Sequence, residues 1–333
     1  MNKPRVFVSR RIPEASLRPL MQECDVEIWE DELPPPYEKL LEKVEGKDGI
    51  ISLLTDRIDA HLMDVAGPQL KVISQYAVGV DNIDLKAATD RCIVVGHTPG
   101  VLTESTADLA FGLLMAAARR IVEGAEYVKA GKWRTWHPLL LLGNDVHGAT
   151  LGIVGMGRIG QAVARRAAGF GMKVLYYNRT PKRVEIPNVD ARQVDLETLL
   201  RESDFVSIHT PLTEETRHMI GRRELAMMKP TAVLVNTARG AVVDTDALYE
   251  ALKDGRIGYA ALDVTDPEPL PPDHPLLTLP NVVVVPHIGS ASTTARTRMG
   301  DLAVANLLAV LSGKRPPHVA NPEVLERPEC GRA

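Results

Sequence analysis

The stretch from Thr150 to Phe170 constrains the chain more than any other. A short apolar run, Thr150-Leu151-Gly152-Ile153-Val154, meets Gly155-Met156-Gly157-Arg158-Ile159-Gly160, and a helical pattern follows from Gln161 to Phe170. Glycines spaced G-x-G-x-x-G suit a strand, a tight turn and the start of a helix. The first permits the turn, the second lets backbone approach a pyrophosphate, and the third allows close packing of helix on strand. N–H groups at the helix start then face phosphate oxygens. The motif alone also fits an ordinary βα turn. Here another strand pattern, Lys173 to Tyr177, follows at βαβ distance, and the stretch reads as a dinucleotide site.

The 333 residues suggest two domains. A formal net charge of −4 gives no reason to expect nucleic acid. No apolar run is long enough to span a bilayer. The three cysteines, Cys24, Cys92 and Cys330, are far apart and suggest neither a disulfide framework nor a metal site. With Met1-Asn2-Lys3-Pro4 running straight into a strand pattern, a cytoplasmic protein without a signal peptide is expected.

Before the glycine motif, strand patterns at Arg5–Val8, Val26–Trp29, Gly49–Leu53, Val72–Gln75 and Ile93–Gly96 alternate with helical ones. Val101 to about Gly131 reads as one long helix, followed by an irregular arm carrying Trp133 and Trp136. Exposed aromatics there fit a subunit interface, and local packing is the plainer alternative. After the motif come six strand patterns in βα alternation, then a helix from about Ser292 to Ser312 and a proline-rich tail expected to pack loosely. The fold class is α/β: two doubly wound parallel-sheet domains, a flavodoxin-like substrate domain and a Rossmann cofactor domain, with a cleft between. Since no strand follows the last helix, it returns to the first domain. The expected divisions are residues 1–98 plus 288–333 for substrate and 99–287 for the dinucleotide.

An acidic residue normally holds the ribose of NAD about twenty residues after the glycines. The corresponding segment is Asn178-Arg179-Thr180-Pro181-Lys182-Arg183. Without a carboxylate at Asn178, nothing there repels a 2′-phosphate, and Arg179 can pair with one. NADP(H) is the expected cofactor, with NAD(H) accepted as well. A solvated basic turn is the alternative.

Three polar residues stand just past late strands, where open α/β sheets collect ligands. Arg239 follows Val235-Asn236-Thr237-Ala238, Glu268 lies in Asp266-Pro267-Glu268-Pro269, and His287 follows Val285-Pro286. An arginine can clamp a carboxylate, a histidine can protonate a carbonyl oxygen, and a glutamate can raise the histidine pKa. The set suggests hydride transfer coupled to proton transfer.

With these residues in view, the sequence from Val6 to about Pro322 resembles the D-isomer-specific 2-hydroxyacid dehydrogenases. The resemblance is carried by the glycine motif, Asn236 to Asp244, Ala261-Leu262-Asp263-Val264 with Glu268-Pro269, and Pro286-His287-Ile288-Gly289-Ser290. It implies Arg239 as the carboxylate clamp, His287 as acid/base and Glu268 as its partner. Along the cofactor it implies Asp263, Thr106, Pro211, Thr237, Ala238 and Gly289. Gln75 to Asp84, Asn178-Arg179-Thr180 and Trp136-His137-Pro138 resemble the glyoxylate/hydroxypyruvate reductases within the family. That closer similarity implies substrate contacts at Leu53, Val78 and Gly79. It also implies a homodimer, in which Trp136 reaches the partner's pocket. Gly79 also reads as a plain turn ahead of a helix capped by Asp81. Alternatives are a D-lactate or D-glycerate dehydrogenase, or a dinucleotide-sensing corepressor built on the same fold.

Overall fold

Among the described residues every ladder between named strands is parallel, and a single antiparallel bridge joins Gly96 to Val319. The structure is a computed structural model and describes residues 3–180 and 184–330. In chain order the elements are β1 (Arg5–Val8), α1 (Glu14–Glu23), β2 (Asp25–Ile28), α2 (Tyr37–Val44), β3 (Gly49–Ser52), α3 (Ala60–Ala66), β4 (Val72–Gln75), α4 (Leu85–Asp90) and β5 (Val94–Gly96). Next come α5 (Thr103–Ala118), α6 (Ile121–Lys129), β6 (Thr150–Val154), α7 (Arg158–Ala168), β7 (Lys173–Tyr177), β8 (Ala191–Gln193), α8 (Leu196–Glu202) and β9 (Phe205–Ile208). The series closes with α9 (Arg222–Leu225), β10 (Val233–Asn236), α10 (Thr245–Lys253), β11 (Tyr259–Leu262), β12 (Val282–Val284) and α11 (Thr293–Leu311).

The chain divides into two compact units, Met1–Leu102 with Ala291–Ala333, and Thr103–Ser290. The first holds a five-stranded sheet in the order β2-β1-β3-β4-β5, the doubly wound arrangement of flavodoxins. The second holds a seven-stranded sheet, β12-β11-β10-β9-β6-β7-β8, whose order reverses at β6 as in dinucleotide-binding folds. Side-chain alternation fills both faces of this second sheet. Val233 and Val235 join one apolar cluster with α5 and α7, while Leu234 joins another with α8 and α10.

Short polar residues cap several of the helices. Asp59, Asp195, Asp244 and Ser292 accept N–H groups of the first turns of α3, α8, α10 and α11. The cap of α4 is Asp84, which accepts the N–H of Ala87 at 2.8 Å, and not Asp81.

Four further expectations need correction. The long helix is two helices, α5 and α6, because Arg120 adopts a left-handed backbone (φ 51°). The carbonyl of Ala118, at the end of α5, instead accepts the N–H of Asn144 at 2.8 Å. The second sheet has a seventh strand, β8, too short and polar to carry an alternating signal. Residues 316–330 of the tail are packed against the first unit. Ala320 N–H donates to Val95 O, and the side chain of buried Asn321 bonds Val95 N–H, Ile93 O and Thr89 Oγ1. Finally, Cys92 and Cys330 form a disulfide between the turn after α4 and the tail. Their separation of 238 residues hides the pairing from any spacing argument.

Cys330→Ser is expected to lower unfolding free energy by about 2–4 kcal/mol, since the cross-link closes a long loop. Urea unfolding with and without a reducing agent checks this. Reductant should shift the wild type and leave the variant unchanged.

Candidate active site

Parallel pairing sends the carboxyl ends of the second sheet to one edge. Gly155 follows β6, Asn178 follows β7, His209 follows β9, Thr237 follows β10, Asp263 follows β11 and His287 lies just past β12. The switch point falls between β6 and β9, the place where such sheets bind dinucleotides.

The glycines divide the work as their spacing suggests. Gly155 has φ +97°, and a Cβ there would lie 2.8 Å from the backbone of His209. A Cβ on Gly160 would come within 2.4 Å of Gly155 O, so helix and turn pack closely. At Gly157 a Cβ would meet nothing within 4 Å, leaving space beside the backbone. No side chain caps α7, and the N–H groups of Arg158, Ile159 and Gly160 donate to no described group. Met156 N–H donates to Asn178 Oδ1 at 2.8 Å, which ties the turn to the end of β7. Thr237 Oγ1 is buried without a partner among the described residues. A cradle open at Gly157, a helix N-terminus and an orphaned hydroxyl fit a nicotinamide dinucleotide. Arg179 stands 3.6 Å from Glu215 on the surface, and Thr180 is exposed. Pro181, Lys182 and Arg183 lie outside the described residues.

Along the same edge of the sheet the structure joins His287 to Glu268. His287 Nδ1–H donates to Glu268 Oε1 at 2.6 Å, leaving Nε2 as the atom available for proton transfer. His287 has φ 51°, an uncommon conformation for a residue with a side chain. Its N–H donates to the carbonyls of Asp263 and Val285, which hold it there. The Asp263 carboxylate accepts the next two N–H groups, from Ile288 at 2.6 Å and Gly289 at 2.8 Å. Ser105 Oγ donates to Gly289 O, and Thr106 lies beside Gly289.

The two carboxyls shift in opposite directions. Burial raises Asp263, and its two N–H donors only partly offset that. Burial also pushes Glu268 up, but the His287 hydrogen bond and charge, the Thr265 N–H and the Arg239 charge hold it below the usual glutamate range. Arg239 is positioned by its own turn. Asn236 Nδ2 donates to Arg239 O, and Asn236 Oδ1 accepts the N–H of Ala238. A Cβ on Gly240 would lie 1.9 Å from Thr265 O, so only glycine lets this turn close on the loop that carries Glu268. Pro211 is exposed, with its carbonyl accepting Thr216 Oγ1.

Leu53, Val78 and Gly79 lie in the first unit, after β3 and β4. Leu53 N–H donates to Asp56 Oδ2 at 2.7 Å, and Leu53 O accepts Asn82 Nδ2 at 3.0 Å. Burial raises the Asp56 carboxyl despite hydrogen bonds from Leu53 and Ser9.

The profile of the D-isomer-specific 2-hydroxyacid dehydrogenase NAD-binding domain matches residues 111–289. A glyoxylate reductase of Korarchaeum cryptofilum is 56% identical over 97% of this chain and 98% of its own. This chain belongs to the D-2-hydroxyacid dehydrogenases. The crystal structure of the TT0316 protein from Thermus thermophilus is similar at TM-score 0.90 and 56% identity, covering 95% of this chain and 99% of that one. An NADPH-dependent glyoxylate/hydroxypyruvate reductase from Sinorhizobium meliloti, solved with NADP and malonate, gives TM-score 0.81 and 33% identity, covering 96% and 97%.

Several residues of this dehydrogenase escaped sequence reasoning. Gln75, Asn82 and His97 brace the first-unit loops through side chains, and Ser105 and Asn236 brace the second. His209 is half-buried with its Nδ1 enclosed, and burial pushes its imidazole down to about 4, so it adds no charge beside Gly155. Its Nε2 bonds Ser207 Oγ at 2.8 Å. Position just past a strand end was the one available signal for His97 and His209.

Glu268→Gln keeps the size of the side chain and removes its charge. Because the folded pKa is lowered, the carboxylate contributes stability above the usual glutamate range and loses it as pH falls through the lowered value. The wild type should therefore melt above the variant at pH 7, with the gap shrinking below about pH 4. Thermal melts across this range check it, and a constant gap would contradict it.

Proposed function

We propose that this dehydrogenase reduces glyoxylate and hydroxypyruvate to glycolate and D-glycerate, with NADPH preferred and NADH accepted. The bond that fixes His287 Nδ1 on Glu268 at 2.6 Å carries this reading. The names of the relatives, glyoxylate reductase and glyoxylate/hydroxypyruvate reductase, support the substrate class. An asparagine at 178, with its Oδ1 engaged by Met156 N–H, supports the cofactor preference, because no carboxylate there would repel a 2′-phosphate.

In this reading the cofactor is held by Gly155 to Gly160, Asn178, Arg179 and Thr180, with Thr106, Pro211, Thr237, Ala238, Asp263 and Gly289 along it. When bound, it supplies a hydride to the carbonyl carbon of the oxo acid. Arg239 clamps the substrate carboxylate and polarises the carbonyl. His287 donates the Nε2 proton to the carbonyl oxygen as the carbon is reduced, and Glu268 stabilises the imidazolium beforehand and orients the ring. The first unit is the substrate domain, with Leu53 bordering the oxo acid and the amides of Val78 and Gly79 binding its carboxylate. The second unit is the cofactor domain.

The same proposal includes a cytoplasmic homodimer, since a nicotinamide enzyme needs a compartment that supplies the cofactor. Helix α6 has no buried residue, and Ile121, Val128, Trp133, Trp136, Leu139 and Leu142 are exposed along one continuous segment. So much apolar surface on consecutive residues suits a second copy of the chain. Among the described residues no helix is long and apolar enough to cross a membrane.

Initial rates with glyoxylate, hydroxypyruvate and pyruvate, each with NADPH and NADH, test the activity. Fast NADPH oxidation with the first two is expected, and a faster rate with pyruvate or with NADH would overturn the corresponding part. His287→Ala should lower kcat about 100-fold or more while NADPH affinity, read by fluorescence titration, is retained. Trp136→Ala is expected to weaken the dimer in sedimentation and to change the ratio of rates on the two oxo acids. Identical behaviour on both counts would remove that residue from the interface.

A further inference from the structure

Behind the Val78–Gly79 turn of the first unit, three consecutive carbonyl oxygens are engaged on the inner side. Ala77 O accepts the N–H of Thr98 at 2.9 Å. Val78 O is 3.0 Å from His97 Nδ1, and Gly79 O accepts Gln75 Nε2 at 3.3 Å. A carbonyl only accepts, so His97 carries the proton on Nδ1 and donates it. In a trans peptide C=O and N–H point in opposite directions. Drawing three carbonyls inward therefore turns the N–H groups of Val78, Gly79 and Val80 the other way. None of these three donates to a described group.

The anchors are themselves held. Gln75 is fully buried, and its Oε1 accepts Ser52 Oγ at 2.7 Å. The main-chain oxygen of His97 accepts Asn306 Nδ2 at 2.9 Å. Asn306, also fully buried, accepts the N–H of His318 at 3.0 Å. The His318 ring stands edge-on to His97 with centroids 6.5 Å apart. Gly96 admits this contact, since a Cβ there would lie 2.9 Å from Asn306 Cβ. Returning chain from α11 and the tail thus fixes the ring that holds Val78 O.

We propose that His97 is a positioning residue for the carboxylate of the oxo acid. Its Nδ1–H keeps the Val78–Gly79 peptide with the carbonyl inward, so that Gly79 N–H stays presented to the anion. The inference rests on the reading that this turn binds the substrate carboxylate. Neighbouring N–H dipoles aimed the same way repel one another until an anion arrives, and an unheld peptide would relieve that by rotating. Holding the peptide in the free protein removes the reorganisation that binding would otherwise require. His97 is the informative position, because Thr98 contributes main chain and Gln75 also ties β4 to β3.

His97→Phe keeps the ring and removes the donor, whereas His97→Asn sets an amide N–H near the place of Nδ1. The phenylalanine variant should raise KM for glyoxylate and weaken binding of oxalate, a non-reducible carboxylate probe, by about tenfold. Turnover at saturating glyoxylate and KM for NADPH should stay close to wild type, and the asparagine variant should recover most of the lost affinity. Unchanged KM and oxalate binding in a folded His97→Phe would overturn the proposal, as would equal losses in both variants. If His97→Phe fails to show a cooperative melt, His97→Leu replaces it, and failure of both to fold would assign the residue to the fold and overturn the proposal. Wild-type turnover separates the two readings. No reduction of any oxo acid would overturn the functional reading and this inference with it, while normal turnover with unaffected His97 variants would overturn only the inference.

Discussion

Parallel pairing of β10, β11 and β12 is the constraint on which the catalytic loops depend. Register sets Asn236 beside Leu262 and Leu262 beside Val284, so the chain leaves all three strands at one level. Residues that are far apart in sequence then emerge side by side. The loops brace one another through main chain and carboxylate, with Asp263 binding the N–H groups of His287, Ile288 and Gly289. Gly240 completes the arrangement by letting the Arg239 turn touch the backbone of Thr265.

Within that frame, two carboxyls a few residues apart acquire different chemistry. Asp263 is almost entirely buried and serves as a structural acceptor, with its pKa raised by the loss of solvent. Glu268 is less enclosed and sits with a histidine and an arginine, whose charges outweigh its burial. It stays ionised and can stabilise a protonated imidazole. The pairing of groups pushed apart by their surroundings is how a single loop system divides structural from acid–base work.

The glycine turn was legible because its function is local. Gly155 and Gly160 answer to steric demands set within a few residues or by one neighbouring strand, and Gly157 leaves open space beside the backbone. Helix caps act over equally short distances, as at Asp59 and Asp244, yet the cap expected at Asp81 lies at Asp84. The break between α5 and α6 was not legible, since no glycine or proline marks Arg120 and the segment that binds Ala118 O arrives from residue 144. Strand β8 escaped notice because an edge strand of three residues needs no apolar alternation.

By itself the sequence determined the alternation of strands and helices, the phosphate-facing turn and the residue types that acid–base chemistry needs, because propensity, periodicity and turn sterics act over short distances. Tertiary structure alone decided that His287 meets Glu268, since the two come together only through the pairing of β11 with β12. It alone brought Cys330 to Cys92 and Asn306 to His97, because those contacts require the C-terminal segment to return across the first sheet. Distance along the chain carries no information about such meetings, which follow from the packing of whole elements.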